Sequence, residues 1–202
     1  GFIPDVKRII SRCSKVEQRQ TLLFSATFSE DVLNLAKRWT TNPVFVEIEA
    51  EQLTTDTVEQ KVFMVPTDEK LKIICSYIAK NDVTKAIIFG NRRDETRRLE
   101  SALKAKGIKA ALLSGEVPQH KRIKTLDQFK SGQIQILVAT DVAGRGIHVD
   151  GVSHVFNYNL PEVAEDYVHR IGRTGRAGKT GISISFACED DAFLIPEIEK
   201  YI

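Results

Sequence analysis

Residues 85–115 read KAIIFGNRRDETRRLESALKAKGIKAALLSG: an apolar run, a charged amphipathic segment, and a second apolar run. Neither run, 86–89 or 110–113, alternates apolar with polar residues, as expected of strands covered on both faces. Between them Leu99 and Leu103 recur at helical spacing, and Asp94 and Glu95 stand where a helix dipole favours acids. Asn91 is placed to cap this helix and Gly107 to stop it.

The same strand–helix alternation extends both ways. Further strands are expected over 61–65, 134–139, 155–158 and 182–187. A helix over 67–81 carries Leu71, Ile74, Cys75 and Ile78 on one face, with Thr67 capping it and Asn81 ending it. Another opens at Pro118, buries Ile123, Leu126 and Phe129, and ends before Gly132. A helix over 163–171 and an acidic one from near Asp190 complete the set. This pattern predicts an α/β fold, a doubly wound parallel sheet flanked by helices. Such sheets bind ligands beyond the carboxyl ends of their strands. The loops after Phe89, Leu113, Ala139 and Tyr158 are therefore the ones to inspect.

Residues 1–48 hold a helix, a strand over 21–24, a helix over 29–39 and a strand over 44–48, too little sheet for a core. The polar segment at 49–57 (EAEQLTTDT) reads as a linker, leaving 58–202 as the main domain.

Composition narrows the class. The chain is 42% hydrophobic and 28% charged, as in a soluble globular protein. No apolar run approaches the roughly 20 residues that span a bilayer. Cys13, Cys75 and Cys188 are isolated and provide no metal-ligand pair, which suits a reduced, cytoplasmic setting. The first residue is Gly1 rather than Met, so a longer parent chain is expected. Residues 85–130 hold twelve Lys and Arg against five acids, an excess of +7. Such a patch suits a polyanion. A solvated helix face accounts for it more simply, so charge alone leaves the partner open.

Three segments carry chemistry. In 167–178 (YVHRIGRTGRAG), Arg170, Arg173 and Arg176 recur every third residue across a helix end broken by glycines. Permanently charged guanidiniums cannot be buried together unpaired, and their planar fork matches phosphate oxygens. In 139–149 (ATDVAGRGIHV), Thr140 and Asp141 stand at a strand's carboxyl end, beside Gly144 and Gly146. In 113–122 (LSGEVPQHKR), a helix N-terminus offers free N–H groups, with Lys121 and Arg122 close by. Gly178-Lys179-Thr180 imitates the end of a phosphate-binding loop, but the required first glycine falls at Arg173 and a strand follows where a helix belongs.

Together these segments resemble the DEAD-box ATP-dependent RNA helicases of superfamily 2, in their C-terminal RecA-like lobe; within that family the likeness is nearest the bacterial RhlB type, associated with RNA degradation. Ser25-Ala26-Thr27 is similar to the motif that closes the first lobe, 86–91 to motif IV, Gln119 with Arg122 to motif IVa, 140–147 to motif V and 169–176 to motif VI. The resemblance implies that residues 1–48 are the remnant of a first RecA-like lobe, which binds ATP with Mg2+. It implies that Arg173 and Arg176 are arginine fingers on the γ-phosphate. Asp141 then orients the motif VI arginines, while Arg170 and His169 bond across the cleft toward the first lobe. Asn91, Gly115, Gln119, Arg122 and Thr140 match contacts to the RNA backbone, and Gly146 and His148 lie at the nucleotide.

Two departures stand out. His148 replaces the usual Asp that contacts the ribose, so recognition there is differently made, and Gly144 replaces the usual Ala or Ser, which loosens the turn. The chain lacks the glutamine motif, the P-loop and the DEAD box, and is expected to be inactive alone. RNA, the first lobe and an RNA-degradation complex are the partners implied; no membrane is. A non-catalytic protein-docking lobe, with Phe193, Leu194 and Ile195 as its working face, and a DNA translocase of the same superfamily are the alternatives.

Overall fold

Six short runs rich in Ile, Val and Ala become strands: β1 (Val58–Met64), β2 (Ala86–Phe89), β3 (Ala110–Leu113), β4 (Ile136–Ala139), β5 (His154–Asn157) and β6 (Gly181–Ala187). All pair in parallel, in the order β1-β6-β5-β2-β4-β3. This computed structural model describes residues 3–25, 30–46, 57–144, 147, 149–176 and 179–202, with Asp31 described by its backbone alone. The helices are α1 (Ile3–Ile10), α2 (Glu30–Trp39), α3 (Lys70–Lys80), α4 (Arg93–Ala105), α5 (Gln119–Lys130), α6 (Asp141–Gly144), α7 (Ala164–Ile171) and α8 (Ile195–Tyr201). None is long and apolar enough to cross a membrane.

The chain divides into two units, 1–49 and 50–202. In the second, both faces of the sheet are covered, so the strands need no alternation. Ala86 and Ile88 pack with Ile74 and Ile78 of α3 and Leu99 and Leu103 of α4 on one face. Ile87 and Phe89 pack with Phe129 of α5 and with Ala143 on the other. A third cluster joins Val58, Leu160, Ala187, Tyr167 and Ile171 of α7 and Ile198 of α8. Burying a side chain such as Phe129 contributes about 1.5–3 kcal/mol.

Register sets the site. Phe89 lies opposite Ala139 on one side and Asn157 on the other, and Leu113 opposite Ala139. Four strands therefore end level, and the loops after them emerge together at the carboxyl edge. At the other end, the helices return through tight turns. Gly107 and Gly132 sit there at φ 78° and 79°, a conformation costly for any residue with a Cβ.

Several expectations shift. α4 begins at Arg93 with Arg92 before it, and no side chain caps it; Asn91 turns elsewhere. Thr67 opens a short 3-10 turn, Thr67–Glu69, and its hydroxyl bonds Glu189 rather than capping α3. Asn81 does end α3, its N–H and side-chain amide both donating to the Tyr77 carbonyl. Ile123, expected inside, is 52% exposed. Counting back from Phe129 at helical spacing, the inward line runs through Leu126 to Arg122, which rotates Ile123 outward. The acidic tail forms a 3-10 turn, Ala192–Leu194, before α8 begins at Ile195.

In the unit 1–49 the helices α1 and α2 stand where expected, with a further 3-10 turn, Val16–Gln18. Among its described residues neither expected strand forms. Phe24 and Val44 are 89% and 88% exposed. A strand is made by its ladder, and these runs have no neighbouring strand within the unit to bond.

Two cations are wholly inside the second unit, Lys70 and Arg170. Lys70, at the start of α3, is fully buried; its Nζ donates to the Tyr158 carbonyl at 2.9 Å and lies 3.6 Å from Asp191. Asp191 accepts the Leu160 N–H at 3.0 Å and the Cys188 N–H at 2.7 Å, so it ties the loop after β5 to the end of β6. Removing one member of a buried pair leaves the other uncompensated. Lys70→Met is expected to destabilise the chain by roughly 3–5 kcal/mol, read as a lower urea midpoint.

Candidate functional site

Arg170 in α7 is 1% exposed. A guanidinium cannot occupy that position without partners for its five donors. Asp141, first residue of α6, accepts from Nε at 2.6 Å and from Nη2 at 2.7 Å, a bidentate pair. Nη2 also donates to Asn91 Oδ1 at 2.8 Å, and Nη1 to the Asn159 carbonyl at 2.8 Å. The Phe89 ring lies beneath, with its centroid 5.5 Å from the guanidinium carbon. One side chain thus gathers the ends of β2, β4 and β5. It does not reach outward. Within its own lobe Asp141, Asn91 and the Asn159 carbonyl take its donors.

Asn91 shares that inward role. Its amide donates to the Leu160 carbonyl at 2.9 Å, and its N–H to Asn159 Oδ1 at 3.1 Å. The stretch 156–161 (FNYNLP) is similar to the family's short strand-end motif between V and VI, but it assigns Asn157 and Asn159 no individual role. The available signal was an asparagine on a buried apolar strand, where polar groups need partners. Asn157 is fully buried, with its amide on Ser185.

Arg173 behaves differently. It is half-buried, and its Nε and Nη1 donate only to backbone carbonyls, those of His169 and Ile147, each at 3.0 Å. It forms no ion pair among the described residues. Burial, and then the neighbouring Arg176 charge, lower its pKa from the usual guanidinium value. A guanidinium still keeps its charge, and among the described residues this one has no ion-pair partner, with Asp141 and Asp166 lining the same pocket. Arg176 is also partly buried, with Nε on the Gly172 carbonyl at 2.6 Å. His169 is 3.8 Å from Glu165 and 3.7 Å from Asp166, and its buried Nδ1 has no hydrogen bond.

The other predicted positions ring the same edge. Thr140 is 7% exposed at the end of β4, its carbonyl taking the Gly144 N–H. Arg122 leaves α5 to donate to the Ala143 carbonyl at 2.6 Å, so it braces the loop after β4. Gln119 is exposed at the start of α5. Gly115 has open space where a Cβ would stand, with only Arg93 Nη2 within reach at 3.9 Å. Gly144 does not loosen its turn. It lies in α6 with the Phe89 ring so close that a Cβ there would collide with it. Ser25 is exposed in the first unit; Ala26, Thr27, Gly146 and His148 lie outside the described residues. Among the described residues no His, Cys, Asp and Glu gather into a metal-binding group.

Residues 69–178 match the family described as helicase conserved C-terminal domain. The chain is 58% identical, over 99% of its length, to the ATP-dependent RNA helicase RhlB of Pseudomonas syringae pv. tomato, and 48% identical, over its whole length, to that of Shewanella baltica. It spans about half of these curated relatives, 50% and 46%. Among solved structures, Saccharomyces cerevisiae Dbp5 bound to RNA and ADP BeF3 superposes with a TM-score of 0.80 at 30% identity, over 97% of this chain and 51% of that one. A DEAD box protein from Methanococcus jannaschii gives 0.67 at 37% identity, over 100% and 53%.

Asp141→Ala strands the Arg170 charge in the interior. The expected loss is about 3–5 kcal/mol, measured as a fall in urea midpoint, whereas Val142→Ala beside it, 73% exposed, leaves the midpoint within error.

Proposed function

Given that the chain belongs to the helicase conserved C-terminal domain family, as the C-terminal lobe of a DEAD-box RNA helicase of RhlB type, we propose that it supplies arginine fingers and RNA-backbone contacts to a motor completed by a preceding lobe. In this reading residues 1–48 are the end of that lobe, 49–57 the linker and 58–202 the lobe proper. ATP and Mg2+ bind mainly to the preceding lobe, and ATP hydrolysis is coupled to local unwinding of RNA duplexes.

The observation that carries this reading is Arg173: a charged, half-buried guanidinium that donates to backbone carbonyls and forms no ion pair among the described residues, beside a second arginine. A phosphate chain presented by another lobe supplies the missing negative charge. Arg173 and Arg176 then stabilise the charge that builds on the transferring phosphoryl group, an effect worth about 10³–10⁵ in rate. Arg170 and Asp141 act one step back, fixing α7 from within. In this reading His169 and the Ser25-Ala26-Thr27 segment have interdomain roles, and Gly146 and His148 nucleotide-binding ones.

On the RNA side, Asn91, Gly115, Gln119, Arg122 and Thr140 surround the carboxyl edge of β2, β3 and β4, where a sugar–phosphate chain can run across open backbone. Contacts of this kind fix position and carry little sequence information. The similarity to a helicase solved with RNA and a nucleotide supports both halves of the reading. RNA turnover in the cytoplasm, within an RNA-degradation complex, is the setting proposed. A protein-docking module is less well supported: Phe193 is 73% exposed, but Leu194 and Ile195 pack against the α7 cluster.

In the intact protein, Arg173→Ala is expected to lower RNA-stimulated kcat by at least about 10³-fold with RNA affinity nearly intact, and the isolated chain to show no steady ATP hydrolysis. An unchanged kcat removes Arg173 from the chemistry. Arg122→Ala is expected to weaken RNA binding and reduce the slope of log affinity against log salt by about one; an unaltered slope counts against the phosphate contact.

A further inference from the structure

The two arginines proposed to reach phosphate are separated by Thr174 and Gly175, and this short turn is held from outside. Thr174 Oγ1 donates to the Val152 carbonyl at 2.5 Å. Thr57 Oγ1, from a residue far away in sequence, donates to the Gly175 carbonyl at 3.0 Å. The Thr57 carbonyl in turn accepts the Gly181 N–H at 2.9 Å. Thr57 therefore grips both ends of the excursion between the arginine turn and β6, one with its side chain and one with its backbone.

Packing leaves no slack in that grip. Gly175 has φ 67°, and a Cβ there would lie 2.6 Å from Val58 Cγ2 and 2.9 Å from Thr57 Oγ1. A Cβ on Gly181 would lie 2.5 Å from the Gly175 nitrogen. The turn is pressed backbone-first against the start of β1 and β6, so the Thr57 hydroxyl sets where residue 175 sits. Arg173 and Arg176 flank that point on either side. No helicase-type motif identified in the sequence includes Thr57. It directly follows the polar segment 49–56 and directly precedes β1.

We propose that Thr57 is a positioning residue for the arginine turn, its hydroxyl fixing the Gly175 carbonyl and through it the aim of Arg173 and Arg176. This rests on the reading of those arginines as the groups that meet phosphate. A misplacement of about 1 Å at a reacting centre can cost about 10²-fold in rate, so one hydroxyl has leverage here.

The test uses the intact protein with three variants: Thr57→Val, which keeps the shape and loses the hydroxyl, Thr57→Ser, which keeps the hydroxyl, and Arg173→Ala. RNA-stimulated ATP turnover, KM for ATP, RNA affinity and melting temperature are measured for each. Thr57→Val is expected to lower kcat by about tenfold or more, with RNA affinity within about twofold of the parent and melting nearly unchanged. Thr57→Ser is expected to restore turnover. If Thr57→Val turns over like the parent while Arg173→Ala is inactive, the positioning role is wrong and the finger reading stands. Failure of Ser to restore what Val loses also overturns it, since the hydroxyl is then not the cause. If Arg173→Ala itself retains full turnover, the finger reading falls.

Discussion

A guanidinium that is 99% enclosed must have its charge and its donors met by the surrounding chain, and Arg170 makes that demand at the one place where three strand ends come level. Asp141 meets the charge; Asn91 and the Asn159 carbonyl meet the remaining donors. Each partner comes from a different loop, so the positions of the loops are mutually determined. The low-dielectric surroundings that make such a network costly to break also make it a rigid frame. Around that frame the site sorts into two sorts of cation. Arg170 is neutralised within the lobe, while Arg173 donates to backbone carbonyls and forms no ion pair among the described residues. A site that spends its acid on the interior arginine keeps the exterior one available for a ligand.

This division corrects the simplest picture of the motif, in which its arginines all point the same way. Residues three apart share a face within a helix, but α7 ends at Ile171, between Arg170 and Arg173, so the three arginines do not continue one face. Arg170, still helical, points into the sheet. Arg173 and Arg176 come after the last helical residue, Ile171, and bond back to the carbonyls of His169 and Gly172.

Much of this was legible beforehand. The runs at 86–89 and 110–113 become strands with those bounds, because continuous Ile, Val, Ala and Leu between helical segments has few other solutions in a doubly covered sheet. Of the loops singled out, those after Phe89, Ala139 and Tyr158 supply the groups around Arg170: Asn91, Asp141 and the Asn159 carbonyl. What escaped was contact at long range. The side chain of Asn91 looked like a helix cap because a cap is a local decision, yet a buried charge 79 residues away claims it. Ile123 looked buried because apolar residues around it are, but the helix turns Arg122 inward instead. Thr57 carried no signal at all, since nothing local distinguishes a threonine before a strand. In residues 1–48 the apolar runs were recognisable but their pairing was not, because a strand depends on a neighbour as much as on itself.

The level register of the strands has an opposite side. The Arg170 network lies at the carboxyl edge, while at the amino edge of β3 and β4 the Gly107 and Gly132 N–H groups bond back to the Lys104 and Phe129 carbonyls of their own helix ends. Lengthening a surface loop there adds little entropic penalty, about 0.6 kcal/mol for each doubling. The lobe can thus accept fluorophores, affinity handles or whole inserted domains on its blunt end while the working rim stays as it is.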